Sequence, residues 1–349
     1  MTNFMRDLVK QINDENTHMV EDEVSSSEFS GTIDTGSYIL NAAFSGSIFG
    51  GIPNNKITAF AGETSTGKTF FALGVIKQFL DKNPDGGVLY YDTEAAVTKA
   101  IMEQRGIDSS RVAVVEPTTI QEFRKHALDV LDAVGKDHPP MVMILDSLGQ
   151  LSTTKEIADT AEGKETRDMT KAQVIKATFR VLSLKLAKAK IPMLITNHVY
   201  DVIGSYFPMK EMSGGSGLKY SASQIAFLSK RKEKDGTDVI GNLIKVRMVK
   251  SRFTKENKEI EVKLTYDKGL DRYYGLLDLA ESAGIFKKVS TRYELENGTK
   301  VFGKAIMNDP EKYFTEDVLQ KLEEHAGSVF MYGAEEDEVE DEDNPVEGT

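Results

Sequence analysis

Between Ser37 and about Tyr266 the chain alternates short apolar runs with longer stretches whose apolar positions recur every three or four residues. Residues 57–61, 87–92 (GVLYYD), 111–115, 141–146 (MVMILD) and 191–197 (IPMLITN) read as strands. Residues 70–80, 97–105, 120–134 and 170–190 read as helices between them. This alternation predicts an α/β fold, a mostly parallel sheet flanked by crossover helices. The strand-like runs are apolar throughout rather than alternating, which suits strands covered on both faces. Hairpin-like strands follow over 240–250 and 259–266. Residues 271–330 then predict a small α+β module. It has a helix at 276–283, a strand at 291–296, an Asn297-Gly298 turn and a last helix at 315–325. Before Ser37 the chain is polar, with a short helical pattern at Phe4, Leu8, Val9 and Ile12, and Phe29 stands alone in an acidic, Ser-rich stretch. The expected division is an arm (1–36), a core (37–270), a small C-terminal domain (271–332) and an acidic tail too charged to fold (333–349). The arm is either a disordered leader or a segment that packs on a neighbouring subunit with Phe29 as its anchor.

Composition changes this picture in two places. The chain has 349 residues, is 40% hydrophobic and carries a formal charge of −12. Residues 334–349 hold nine acidic side chains and no basic one, so three quarters of that excess sits in a short segment. Residues 230–258 lean the other way, with ten basic and four acidic side chains. Charge distribution, rather than its total, therefore decides which partners are open. The absence of cysteine excludes disulfides, thiol catalysis and Cys-based zinc sites. No apolar run approaches the ~20 residues of a membrane helix, and the start lacks an apolar leader, so a soluble cytoplasmic protein is expected.

Candidate chemistry centres on Gly62, Glu63, Thr64, Ser65, Thr66, Gly67, Lys68 and Thr69, which spell G-x-x-x-x-G-K-[ST] between a predicted strand and a predicted helix. That context makes the motif a phosphate site. The glycines let backbone N–H groups close around an anion, and the positive end of the next helix adds to them. Lys68 would reach the β- and γ-phosphates, and the Thr69 hydroxyl would hold Mg²⁺. The motif predicts binding of a nucleoside triphosphate. Asp146 ends an apolar run, where its carboxylate can hold the water shell of the same ion. Glu94, two residues after Asp92, is either a general base for the attacking water or part of a solvated acidic loop. His198 is either a γ-phosphate sensor or a structural histidine at a strand end.

The motifs A-G-E-T-S-T-G-K-T, Y-Y-D-T-E, M-I-L-D-S-L, L-I-T-N-H and S-G-G-S-G-L-K-Y-S-A-S occur here in the order and spacing of the RecA family of recombinases. The chain resembles that family over about 37–330. Within it, the chain looks like the UvsX-type recombinases of T-even-like phages, with D-M-T-K-A at 168–172, His198, and V-K-S-R at 249–252. The resemblance implies ATP and Mg²⁺ as nucleotide and metal, with Glu94 orienting the hydrolytic water. His198, where most RecA proteins have glutamine, would report the γ-phosphate to the DNA loop that follows. Lys250 and Arg252 match basic residues that reach a neighbouring subunit's ATP. Ile101 stands where the family usually places a tyrosine beside the adenine, so looser base recognition is expected.

Two loops, 159–169 and 199–217, would contact DNA by the same resemblance. Arg167, Met169, Arg180, Ile203, Phe207, Gly214, Gly215 and Ser216 are the candidates. Ile203, Tyr206, Phe207, Met209 and Lys210 combine apolar, aromatic and basic groups as single-strand binding requires. Lys287, Lys288, Arg292, Lys300 and Lys304 would hold duplex DNA. The expected function is a DNA-dependent ATPase that forms helical filaments on single-stranded DNA and catalyses homologous pairing and strand exchange. Its expected partners are single-stranded and duplex DNA, further copies of itself, a single-strand-binding protein and a loading mediator, in a phage-infected bacterial cell. The alternatives are a hexameric helicase built on the same core, and a nucleotide-gated filament that coats DNA without strand exchange.

Overall fold

The computed structural model describes residues 4–14, 16–22, 31–135, 137–164, 168–202, 210–215, 217–235, 237–266 and 269–333. Phe29, Arg167, Ile203, Tyr206, Phe207, Met209, Ser216 and the acidic tail lie outside the described residues. The chain opens with α1 (Phe4–Ile12), none of whose residues is buried. Next, β1 (Thr32–Ile33) pairs with β2 (Ile52–Pro53) across α2 (Tyr38–Ser45). Then come β3 (Ile57–Gly62), α3 (Lys68–Lys82), β4 (Gly87–Asp92), α4 (Lys99–Gln104), β5 (Val112–Val115), α5 (Ile120–Val134) and β6 (Met141–Asp146). They are followed by α6 (Thr154–Ala161), α7 (Lys171–Ala189), β7 (Met193–Asp201), β8 (Lys210–Met212) and α8 (Gly217–Ser221). A meander of β9 (Gln224–Asp235), β10 (Asp238–Ser251), β11 (Glu259–Thr265) and β12 (Gly269–Leu270) completes the main sheet. Last come α9 (Leu276–Ser282), β13 (Lys287–Val289), β14 (Arg292–Glu294), β15 (Lys300–Phe302), α10 (Gly303–Asn308), α11 (Pro310–Tyr313) and α12 (Glu316–Phe330).

Among the described residues the main sheet runs β12-β11-β10-β9-β3-β7-β6-β4-β5, with β8 attached to β7. From β9 to β5 the neighbours are parallel, and β9 to β12 are antiparallel. The expected parallel α/β core is therefore present, with an antiparallel flank. Its strands are apolar throughout because both faces are covered. Successive side chains point to opposite faces, so Phe60 and Tyr90 join one buried cluster with α2 and α3. Ala59, Ala61 and Tyr91 join the other, with Phe123 of α5 and Phe179 of α7. The ends of β3, β4, β6 and β7 are held level by register, Gly62 opposite His198 and Asp92 opposite Asp146.

Several expectations need correction. The segment 191–197 becomes a strand only from Met193 and runs on to Asp201, where Val199, Tyr200 and Asp201 pair with Met212, Glu211 and Lys210. The base of the expected loop 199–217 is thus a β-hairpin, and its end starts α8. Residues 159–161 of the expected loop 159–169 belong to α6, whose start is fixed by a Thr153/Glu156 capping box. The last helix extends to Phe330 because Ala326 and Phe330 are buried on its inner face. Leu276, Phe286, Ile306, Phe314, Leu322 and Phe330 share one buried cluster with Phe44, Phe60 and Ile76. The C-terminal unit is consequently packed on the core, and Glu323 accepts the Ile48 N–H at 2.7 Å. Among the described residues no helix is long and apolar enough to cross a membrane.

Candidate active site

Gly62 ends β3, and a Cβ on it would lie 2.6 Å from Thr66 Oγ1 and 2.9 Å from the Leu228 carbonyl oxygen. Gly67 has φ +93°, and a Cβ there would come within 3.0 Å of Leu264 Cδ2. Both positions demand glycine, the second also because L side chains avoid that backbone region. No side chain caps α3, so anion recognition at its start falls to backbone N–H groups. Lys68 is buried, and its Nζ donates to the carbonyls of Gly62 (3.0 Å) and Glu63 (2.9 Å). Burial lowers its pKa, while the charges of Glu94 and Asp146 pull the other way. The ammonium is thus folded over the loop on weak neutral acceptors, ready to exchange them for phosphate oxygens.

Asp146 is 3% exposed. Its Oδ2 accepts from Thr69 Oγ1 and from Tyr90 Oη, both at 2.7 Å, and its Oδ1 accepts from Thr196 Oγ1. Burial, then the charge of Asp146, pushes the Tyr90 phenol far above its ordinary value, so it stays a donor. Glu94 sits on the loop after β4. The Asp92 carboxylate holds that loop by accepting the N–H groups of Glu94 (3.1 Å), Ala96 (3.3 Å) and Val97 (2.9 Å). Glu94 Oε1 accepts from Ser147 Oγ at 2.8 Å and meets His198 Nε2 at 3.1 Å. Lys68, Thr69, Asp146, Glu94 and His198 are therefore gathered at the carboxyl ends of neighbouring strands, the place where open α/β sheets bind ligands. Residue types and contacts suit a triphosphate with a divalent ion. A hydroxyl and a carboxylate already meet, and the glycine cradle leaves space for nothing larger than backbone.

Tyr90, Thr196, Ser147 and Asp92 escaped the sequence reading as members of this site. So did Lys230, whose Nζ donates to the Ser65 carbonyl at 2.5 Å, and the ion pair between Lys210 and Glu63. Only pairing across the sheet reveals Lys230. Gly62 stands opposite Leu228, so Lys230 lies two residues beyond, on the same face. Phe70, just after Thr69, carries the Arg105 guanidinium 3.8 Å from its ring centroid, and Ile101 is part of the packing below.

Lys250 and Arg252 are not brought to this site. Lys250 pairs with Ile225 and Ser251 with Gln224, which stand opposite Ala59 and Thr58 near the start of β3. Lys250 Nζ donates to the carbonyls of Lys219 (2.7 Å), Tyr220 (3.3 Å) and Ala222 (2.7 Å). Of the DNA candidates, Met169 is 76% exposed ahead of α7, and Arg180 is exposed on α7. Gly214 and Gly215 have positive φ, and a Cβ on them would lie 2.5 Å from Ile175 Cδ1 and 3.2 Å from Ala172 Cβ. They serve the turn that seats the hairpin on α7. In the C-terminal unit, Lys288 is paired with Glu281 and Lys300 with Glu294, and Arg292 stacks on Phe302. Lys287 and Lys304 lie on the same unit, on β13 and α10.

The sequence matches the RecA N-terminal domain family over residues 4–271. It is 31% identical over 287 residues to the recombination and repair protein of Enterobacteria phage T4, covering 81% of this chain and 73% of that protein. It is 29% identical over 322 residues to protein RecA of Lactobacillus acidophilus, covering 90% of this chain and 83% of the relative. The figures for protein RecA of Thermus aquaticus are 27% over 318 residues, 87% and 88%. The family match takes in every strand from β3 to β12, and the chain belongs to the RecA family.

Proposed function

We propose that this protein is an ATP-dependent DNA recombinase that assembles on single-stranded DNA and pairs it with a homologous duplex. One observation carries the reading. The strand that delivers His198 to Glu94 runs on to Asp201, and its residues 199–201 pair with 210–212, so the phosphate site and the expected DNA segment share one element. Thr69 and Asp146 would hold Mg²⁺, which when bound supplies positive charge against the phosphate oxygens. Lys68 exchanges the Gly62 and Glu63 carbonyls for the β- and γ-phosphate oxygens. Glu94 accepts the proton of the attacking water, oriented by Ser147 and His198. Arg167, Met169, Arg180, Ile203, Phe207, Gly214, Gly215 and Ser216 are the proposed contacts to single-stranded DNA. Lys250 and Arg252 would serve a neighbouring copy's nucleotide. The unit 271–332 would hold duplex, with 1–36 as a polymerisation arm. A single-strand-binding protein and a loading mediator are the further partners such an assembly would use.

Purified full-length protein tests this directly. Lys68→Ala should abolish DNA-stimulated ATP turnover. Glu94→Gln should keep ATP binding and assembly on DNA while slowing turnover ~10²-fold or more, the scale of a lost general base. Homologous pairing of a labelled single strand with duplex should require the unmodified Lys68. Turnover that ignores DNA, or closed rings that unwind duplex directionally, would overturn the reading in favour of a coating filament or a helicase.

A further inference from the structure

We propose that Lys230 positions the phosphate loop for its nucleotide by holding the Ser65 carbonyl and so fixing the direction of the Thr66 N–H. This role deepens the nucleotide-binding reading of the loop and rests on it. Ser65 has φ +59° and Gly67 φ +93°. Left-handed residues interspersed in a turn direct successive backbone N–H groups into one anion-binding concavity. Glycine adopts that conformation freely, whereas serine adopts it at a cost and keeps it only where its surroundings hold it. At Ser65 the hold comes from Lys230, whose Nζ donates to the carbonyl oxygen at 2.5 Å. The 65–66 peptide is trans and planar, so its N–H points away from its carbonyl. Fixing one therefore fixes the other. Thr66 is buried, and its N–H donates to no acceptor among the described residues. A buried, unpaired N–H on a fixed peptide is a donor that an anion completes.

Other cations near the loop act differently. Lys68 holds the carbonyls of Gly62 and Glu63 and would leave them for phosphate oxygens. Lys210 meets the Glu63 carboxylate, a side chain, and leaves the backbone untouched. Further along β9, Arg231 is paired with Glu261, and Glu233 with Lys263. Lys230 has no ion-pair partner among the described residues and gives its ammonium to a neutral carbonyl of the phosphate loop. It reaches that carbonyl because Leu228 stands opposite Gly62, which ends β3, and Lys230 lies two residues on, on the same face. Its charge is felt inside the site. Burial depresses the Lys68 pKa first, and Lys230 depresses it further. The N–H groups of such a loop cradle the α- and β-phosphates, which ATP and ADP share. Lys230 therefore serves both nucleotides alike.

The experiment uses full-length wild type, Lys230→Met and Lys230→Arg, each titrated calorimetrically with ATP and with ADP in the presence of Mg²⁺ and without DNA. Methionine keeps an unbranched chain and removes the donor, whereas arginine keeps a charged donor. Lys230→Met should weaken ATP and ADP by the same factor, on the order of tenfold, the scale of one lost hydrogen bond from a charged group. In turnover on oligothymidylate, KM for ATP should rise by that factor while kcat stays within about twofold. The urea midpoint and the salt dependence of oligothymidylate binding should not move, and Lys230→Arg should restore both affinities. Weaker ATP with unchanged ADP would make Lys230 a γ-phosphate ligand and overturn the positioning role. A changed salt slope with both nucleotide affinities intact would make it a DNA contact and overturn that role too. If wild type binds both nucleotides and Lys230→Met binds them equally well, Lys230 alone falls. If wild type binds neither, the nucleotide-binding reading falls with it.

Discussion

Two carboxylates show at the residue scale how hydrogen bonds prepare this site. Asp146 accepts from three hydroxyls, and the Lys68 ammonium is near enough for the two charges to attract. The hydroxyls also fix the carboxylate's orientation before any metal arrives. Glu94 is less enclosed. Burial would raise its pKa, but hydrogen bonds from Ser147 and His198, with the charges of His198 and Lys68, outweigh burial and hold it below the ordinary carboxylate value. Its ionised form is thus favoured by the fold. The stability this confers is present above the ordinary value and is lost as pH falls through the depressed one. Turnover that needs ionised Glu94 should therefore persist into mildly acidic conditions. Ser147→Ala should move the acid limb of kcat/KM upward by up to about one pH unit. A limb that stays in place would mean that Ser147 does not set the basicity of Glu94.

At the scale of elements, short polar signals decide where helices begin and which strands outrun the sheet. Thr119 caps α5 by accepting the Glu122 N–H at 3.1 Å, and Glu122 returns a bond to Thr119 N–H at 3.1 Å. The helix so fixed buries Ile120, Phe123, Ala127 and Leu131 on one face. Thr119→Ala should cost about 1 kcal/mol. It should appear as a lower urea midpoint with ATP turnover per folded molecule unchanged, because the buried face of α5 packs against Tyr91 and Phe179 in the cluster on that side of the sheet. A fall in turnover at equal folded fraction would tie α5 to the site. The hairpin of β7 and β8 is a contrasting case. Met212 anchors it in the core, and the Lys210–Glu63 ion pair adds only a surface contact whose weight is small and falls with salt.

For the whole molecule, the sheet has two chemically different ends. Lys68, Thr69 and Asp146 lie at one, and Lys250 and Arg252 flank the other. A single copy cannot bring both to one nucleotide, so the proposed role of Lys250 and Arg252 requires head-to-tail copies, and a head-to-tail contact that does not close generates a filament. Mixing Lys68→Ala protein with Lys250→Ala/Arg252→Ala protein should accordingly recover part of the turnover that each lacks alone. One kind of mixed interface then has every part intact. No recovery, with co-assembly shown by light scattering, would place the two cations outside the reaction.

The sequence by itself determined the parallel core, the order of its main strands and helices, the phosphate loop, the strand-end position of Asp146 and the place of Glu94 just past β4. These follow from local signals: hydrophobic period, a glycine spacing, a polar residue closing an apolar run. Tertiary structure alone decided what depends on pairing between distant segments. The far half of β9, rich in Lys, Arg and Glu, shows no strand alternation and is a strand only because β10 lies beside it. Tyr90 read as core, and it is core, yet its hydroxyl meets Asp146 because β4 and β6 are adjacent and in register. Lys230 reaches Ser65 for the same reason, through the pairing of β9 with β3. The C-terminal unit read as separate because helix periodicity marks an apolar face without naming its partner. Docking against α2 made that face part of the common core.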